Sequence, residues 1–588
     1  MAERLTANWR RLTTAWRLLL AVPAITQTVS AQHLLVNVRP PAAPRLSDVV
    51  FSPRFLRPES FDVSTAFRAT RAEWIYFPTT PESLHQLGRL PHWVGLTLNA
   101  NPLLPGGQGY AEDFDGNPLV APWMKSWGAK WVTTTHPESR ESLRWQLERI
   151  LATGARSIQF DDPLLQVYSA RFHGGDFNAA TQAGFGTWLR SLDDQRAVQA
   201  AGLDNFSGSY REFLITRYAI RDGTDYKRRA QSLPSNALWQ KYVQSTVQDY
   251  FLALRTRLNE HLPHSLALSM NIAIRWPDAQ LAPFFLTAFP DYLMAEVDIG
   301  DTSNLIAQVA TSRSLEVGFV ASIRPVNLQR NRTAIAILYA LGAQPIVPWD
   351  VFVPDKPRYF GTAFEYGDLY RFVVDNAKYF DGYEAIALVA IVVDPKFFSY
   401  AEVKSLCEEL AERNIPYSFV LLSDAKGRRP LTADRLRGYA LVALSTPLDH
   451  IPAADRALLA SLKIPVLNTV SVSPKDTEFL RPLVSSPDGT SLRMFVRSGI
   501  ADSKDTWVIH LIDEATESIA LGSPDSRCRR RLGLKLEALG IPRSATVKWV
   551  TALQEEALKM ESGSGDYSYV TISNCVPWGF LYFSRGNT

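Results

Sequence analysis

The sequence predicts an α/β chain in three parts: a (β/α)8 TIM barrel over residues 45–383, a small Rossmann-like or flavodoxin-like α/β domain over 384–472, and a β-sandwich over 473–588. Three observations predict it. Strand-like runs alternate with helical patterns between Asp48 and Tyr383 in eight successive units, as in a parallel sheet closed on itself. After Gly382 a buried-strand run at 385–393 is followed by a helical stretch at 400–413 and further runs at 417–422, 439–445 and 465–468, the alternation of a small open sheet. The last part carries β-like runs, among them 492–496, 506–512, 546–550 and 569–572.

Within the barrel, strand one is expected over 49–55 with a helix near 63–70, and strand two over 72–77 with a helix over 81–90. Strand three, 93–100, opens into a long aromatic loop, and the helical pattern 138–154 leads into strand four. That strand is the stretch 155–163, in which apolar Ile158 and Phe160 alternate with Ser157, Gln159 and Asp161 before the doublet Asp161-Asp162. A long excursion and a helical segment around 239–261 separate it from strand five, 266–274, and a helix near 279–289. Strand six spans 292–298 with a helix over 303–314, and strand seven 317–323 with a helix over 328–341. Strand eight, 344–350, is closed by a helix over 366–380.

Composition narrows the function. A chain of 588 residues holds more than one domain, and its apolar and charged fractions are those of a globular protein. A formal charge of +3, with no basic run beyond 527–531, argues against nucleic acid as a partner. Cys407, Cys528 and Cys575 lie far apart without metal-ligand spacing, so unpaired thiols and no disulfide framework are expected. His92, His136 and His173 form no metal motif, and neither a P-loop nor a dinucleotide fingerprint occurs, so no metal or cofactor is expected. At the N-terminus Arg4, Arg10, Arg11 and Arg17 precede an apolar run, 18–25, and the small residues Val29-Ser30-Ala31. This reads as a signal peptide over 1–31 and places the mature protein, from Gln32, in the periplasm or outside the cell. No later run is apolar and long enough to span a bilayer, so stable membrane insertion after cleavage is not expected.

Strand alternation then asks which side chains enter the barrel mouth. Asp161 points inward from strand four with Asp162 at the rim, and Met294, Glu296 and Asp298 point inward from strand six. Strands three and five contribute Thr97, Asn99, Ser269 and Asn271, strand seven Ser322 and Arg324, and strand eight Trp349 and Asp350. Acids at the C-terminal ends of barrel strands lie where such barrels place their chemistry. Together with Asn, Arg and Trp they suit a carbohydrate, whose hydroxyls need polar partners and whose C–H faces stack on rings. Glycosidic cleavage commonly uses two carboxyl groups. Tyr110, Trp123, Trp127 and Trp131 in the loop after strand three, and Trp276 after strand five, are candidate sugar platforms, or else they pack the loops. Asp162 before Pro163 also fits the start of a turn, Glu296 a structural pair with Arg324, and Asp350 a pair with Arg324 or Arg358.

The order of barrel, small α/β domain and β domain resembles β-galactosidases with a trimerisation-type domain, as does the run 176–190 after the acidic strand end. That resemblance implies an oligosaccharide or polysaccharide substrate and raises a homo-oligomer as an expectation. Its glutamates stand on strands four and seven, whereas strand seven here ends Ser322-Ile323-Arg324 without an acid. The acid placement instead resembles the α-galactosidase, α-glucosidase and dextranase-like barrels. By position, that resemblance implies Asp161 as nucleophile and Glu296 as acid/base, with Asp162 and Asp298 as alternates. The expected function is an exported glycoside hydrolase or transglycosylase. The alternatives are a non-catalytic carbohydrate-binding protein on a degenerate barrel and a structural subunit of an envelope polysaccharide machine.

Overall fold

The computed structural model describes residues 43–78, 80–91, 93–260, 266–272, 285–353, 356–395, 400–424, 427–468, 477, 480–486, 492–515, 520–563 and 566–585. They belong to one compact unit, Arg39–Thr588. The expected signal segment, 1–31, and Trp276 lie outside the described residues.

Eight parallel strands follow one another in chain order around a ring: β1 (Val50–Phe51), β2 (Arg71–Tyr76), β3 (Trp93–Asn99), β4 (Ser157–Asp161), β5 (Ala267–Met270), β6 (Tyr292–Asp298), β7 (Gly318–Arg324) and β8 (Gln344–Pro345). A parallel bridge between Val50 and Ile346 joins β8 to β1. The alternation in β6 shows why the ring forms. Leu293, Ala295 and Val297 are buried among the outer helices, while Tyr292 and Met294 join Val50, Trp74, Ala267, Val320 and Ile346 in a plug that fills the barrel's lower half. In β4, Phe160 packs outward on Phe251 at 4.8 Å, which leaves Gln159 and Asp161 to face inward.

Register sets what stands at each height. In a closed eight-stranded barrel, neighbouring strands slip by about one residue, so side chains from alternate strands meet at one level about two residues further along. Tyr76 pairs with Thr97 and Thr97 with Gln159, which puts Tyr76 level with Asp161. Phe160 pairs with Met270 and Met270 with Leu293, which puts Asp161 level with Glu296. The contact of the Tyr76 hydroxyl with Asp161 confirms the direction of the slip. Tyr76 reaches this level through a bulge: the β2–β3 register shifts between Ala72 and Ile75, with Trp74 at φ 54°.

The rest of the chain builds two further layers. A parallel sheet in the order Tyr417–Leu421, Val389–Val393, Leu441–Leu444, Val466–Asn468 forms the small α/β part. Two antiparallel sheets of four and six strands form the sandwich. The six-stranded sheet takes its edge strand, Tyr383–Ala385, from the junction between barrel and α/β part, pairing it with Leu492–Gly499. Among the described residues no helix is long and apolar enough to cross a membrane.

The cysteine expectation is corrected here. Cys528 and Cys575 form a disulfide across 47 residues of sequence, between the adjacent strands Asp525–Leu534 and Ser568–Cys575, while Cys407 is free and buried. Spacing along the chain carries no trace of that strand pairing. The basic run 527–531 lies on the same strand, where Arg530 pairs with Asp513 and Arg531 with Glu561. A loop of this length gives a cross-link worth about 4 kcal/mol by chain entropy, with about 2–4 kcal/mol common in practice. Non-reducing peptide mapping is expected to show the bridge, and the Cys528→Ala/Cys575→Ala protein is expected to lose about 2–4 kcal/mol in urea unfolding. A double variant as stable as the parent would show that the bridge adds nothing to the fold.

Candidate active site

Asp161 sits at the C-terminal end of β4 with its carboxylate fully engaged. The Tyr76 hydroxyl donates to Oδ2 at 2.6 Å, and Asn271 Nδ2 donates to Oδ1 at 2.8 Å. The backbone N–H of Asp162 adds a third donor at 3.1 Å. Tyr76 is driven well above the usual phenol range, first by burial and then by the neighbouring Asp161 charge, so its hydroxyl stays a donor. Asn271 owes its place to β5, whose pairing continues through the Asn271 N–H to the Phe160 carbonyl.

Asp162 follows in the left-handed region, φ 55°, which turns its side chain away from Asp161 toward the loop after β3. There Trp131 Nε1 donates to Oδ2 at 2.8 Å and Asn101 Nδ2 at 3.4 Å. Burial pushes its carboxyl up to about 7, with the Asp161 charge adding to the rise against the opposing hydrogen bonds from Trp131 and Asn101.

Glu296, half-buried on β6, lies between two guanidinium groups, Arg54 at 3.7 Å and Arg324 at 3.6 Å. Arg54 is buried, rests over the Trp74 ring at 3.2 Å and donates to Ser322 at 3.2 Å. Asp298 is exposed one step further out and pairs with Arg324 at 3.4 Å. The structure therefore brings Asp161, Asp162, Asn271, Glu296, Asp298 and Arg324 to one end of the barrel. Asn99, in register with Asp161, uses its Oδ1 to hold the N–H of Asn101.

Asp350 has a different setting. It is fully buried and grips Arg57 at 2.8 Å and Arg358, while accepting the Phe55 N–H at 3.2 Å. It thereby ties the loops after β1 and β8 together. Trp349 is half-buried against Phe51 and Phe360. Trp127 is exposed, whereas Tyr110 and Trp131 are buried; Trp131 serves as a donor to Asp162. Arg54, Tyr76 and Asn101 were not among the residues expected from sequence. Tyr76 is hidden by the bulge, which breaks the two-residue period and turns Glu73, Trp74 and Tyr76 all toward the interior. Among the described residues no group of His, Cys, Asp and Glu is arranged to hold a metal ion.

An eight-stranded parallel barrel with acids at its mouth and antiparallel sheets appended defines a class: the chain has a (β/α)8-barrel fold with a β-sandwich-like C-terminal part. Among solved structures it is similar to α-L-fucosidase isoenzyme 2 from Paenibacillus thiaminolyticus, with a TM-score of 0.59 over 92% of this chain and 100% of that one, at 10% identity. That likeness is one of fold alone. An α-glucosyl transfer enzyme, XgtA (TM-score 0.35, 9% identity, 92% of this chain and 100% of that one), and a dextranase from Flavobacterium johnsoniae (0.32, 8%, 93% and 71%) lie too far off to bear on it. No family model and no curated protein sequence matches the chain.

Asp162 gives a signed pH test. With its folded pKa about 7 and an ordinary value near 3.9, the native state holds more protons than the unfolded chain across that interval. Its contribution to stability is full below about pH 4 and is lost as pH rises through about 7. Asp162→Asn is therefore expected to gain on the parent as pH goes from 4 to 8, by roughly 1–3 kcal/mol in urea unfolding. A difference that does not change with pH would show an ordinary carboxylate.

Proposed function

We propose that the protein is a glycoside hydrolase or transglycosylase acting on an oligosaccharide or polysaccharide. The observation that carries this reading is the shared level of Asp161 and Glu296 at the barrel mouth, two strands apart, with Asp161 aimed by Tyr76 and Asn271. In this reading Glu296 protonates the departing glycosidic oxygen as an Asp161 oxygen attacks the anomeric carbon and the C–O bond breaks. Glu296 then takes a proton from water, or from another sugar hydroxyl, whose oxygen displaces Asp161. Carboxyl groups about 5–5.5 Å apart give retention by this route, whereas about 6.5–9.5 Å would leave room for a water and inversion.

A second assignment within the same reaction is favoured by one observation. Burial lifts the Asp162 carboxyl to about 7, into the range where a general acid can hold its proton near neutral pH. The proton donor is then Asp162, and the Glu296 carboxylate serves to hold Arg54 and Arg324 in place. For location, the Cys528–Cys575 bridge supports export, because structural disulfides persist in the periplasm and outside the cell.

The test is a screen of the protein against α- and β-linked oligosaccharides and against aryl glycosides with good leaving groups. Asp161→Asn is expected to abolish turnover of both kinds. Removing the true proton donor is expected to cost about 10²–10⁴-fold on oligosaccharides and far less on an aryl glycoside, whose phenolate leaves without help. Comparing Glu296→Gln with Asp162→Asn therefore assigns the donor. Saccharide binding without cleavage by the parent protein would replace this reading with a non-catalytic binding barrel.

A further inference from the structure

We infer that the barrel mouth takes a linear saccharide lengthwise, with aromatic platforms on both sides of the acid pair, so that cleavage falls inside a polysaccharide and not at its end. This rests on the glycosidase reading and adds to it the form of the substrate. Seven aromatic side chains are exposed among the described residues: Phe55, Trp123, Trp127 and Phe360 lie between β1, β3 or β8 and the next α-helix, Phe172 ends the first helix after β4, and Trp145 and Phe364 stand on the helices Pro137–Ala152 and Ala363–Asp375. Single exposed apolar residues are ordinary on a protein surface. A concentration at one end of the barrel marks a binding surface.

Two contact paths lead outward from the adjacent carboxyls of Asp161 and Asp162. From Asp161 the path runs through the Tyr76 hydroxyl to Phe55, stacked on Tyr76 at 4.9 Å and 27° and 47% exposed. Beside it Phe360, 40% exposed, stands edge-on to Trp349 at 4.8 Å. From Asp162 the path runs the other way. Trp131 Nε1 donates to the carboxyl, Trp123 packs edge-on against Trp131 at 5.6 Å and Tyr168 at 5.2 Å, and Phe172 rests on Tyr168 at 4.8 Å. Trp123 and Phe172 are 43% and 42% exposed, and Trp127, on the same Pro122–Trp127 segment as Trp123, is 67% exposed. In an eight-stranded ring β4 stands opposite β8, so the two platforms face each other across the mouth.

The first platform is also rigid. Arg57, from the loop after β1, lies over Phe360 at 5.1 Å, while Arg358, from the loop after β8, lies over Phe55 at 5.5 Å, and buried Asp350 holds both arginines. Rings fixed in this way lose little freedom when a sugar face stacks on them, which favours binding. A site that trims chain ends needs a wall beyond the terminal sugar. Rings on both flanks of the acids instead offer a seat to sugars on both sides of the scissile bond.

The experiment uses the full protein with dextran, amylose, soluble xylan, mixed-linkage β-glucan and chitosan as probes, scored by product size at low conversion. Oligosaccharides of mixed length from the outset are expected, and release of one monosaccharide or disaccharide alone would overturn the inference while leaving a glycosidase. Trp127→Ala and Phe360→Ala are each expected to lower the ratio of polymer to aryl-glycoside kcat/KM at least tenfold, and an unchanged ratio would remove that platform. Affinity electrophoresis of Asp161→Asn in the same polymers separates the two levels of the reading. Retardation weakened by both substitutions, with no turnover by the parent, would keep the lengthwise seat and sink the hydrolase. Neither retardation nor turnover would overturn both.

Discussion

Closure of eight tilted strands into a ring is the constraint from which the site follows. Tilt and slip oblige alternate strands to present their side chains at shared heights, and the highest filled level holds Tyr76, Asp161 and Glu296. Below it Met294, Trp74 and Ile346 close the barrel with apolar volume. Carboxylates above an apolar plug must be matched by donors and cations, because a buried charge stripped of its partner costs about 3–5 kcal/mol. Asp161 has three donors and Glu296 two guanidinium groups. The floor beneath is polar too: Thr97, Gln159 and Ser269, paired across β3, β4 and β5, carry buried side-chain atoms without a partner. The barrel thus keeps polarity along one arc of its interior and apolar packing along the other.

Strain is distributed in the same way. Among the non-glycine residues with positive φ, Arg54, Trp74, Asp162 and Asp350 stand on or beyond β1, β2, β4 and β8. Such conformations cost of order 1–3 kcal/mol each and persist only where surrounding contacts over-determine them. Each has such contacts. Arg54 is clamped between Trp74 and Ser322, and Asp162 is held by Trp131. Asp350 is locked by Arg57 and Arg358. The result is that Asp161 and Asp162, adjacent in sequence, face different surroundings, one a carboxylate cradled by donors and the other a group near neutrality.

How much of this was legible in the sequence depended on whether period alone determined it. β6 could be read residue for residue, because Tyr292–Asp298 alternates without interruption and no bulge disturbs it. The inward set Met294, Glu296 and Asp298 followed from that alternation. β2 could not be read in this way, since one extra residue near Trp74 reverses the phase and hides Tyr76. Trp131 could be read either as a sugar platform or as loop packing, because an indole in a long loop gives no sign of whether its N–H will find an acid. Asp350 showed its carboxylate and, in Arg358 eight residues on, one partner, but not Arg57, which reaches it from the loop after β1. The Cys528–Cys575 pair depended on the pairing of two distant strands, which no local spacing encodes.

The reciprocal clasp between the loops after β1 and β8 explains why Asp350 can shape the site without lining it. Each arginine covers a ring that the other loop contributes, so neither Phe55 nor Phe360 is fixed by its own loop alone. Both geometries converge on one buried carboxylate, and the Phe55 N–H hydrogen-bonds to it as well. Loss of that carboxylate would leave two guanidinium groups without their shared anion and free both loops at once. Because Phe55 stacks on Tyr76, and Tyr76 donates to Asp161, the disturbance would pass through two contacts to the carboxylate at the centre of the mouth. A residue that does not line the mouth is thereby part of what positions Asp161.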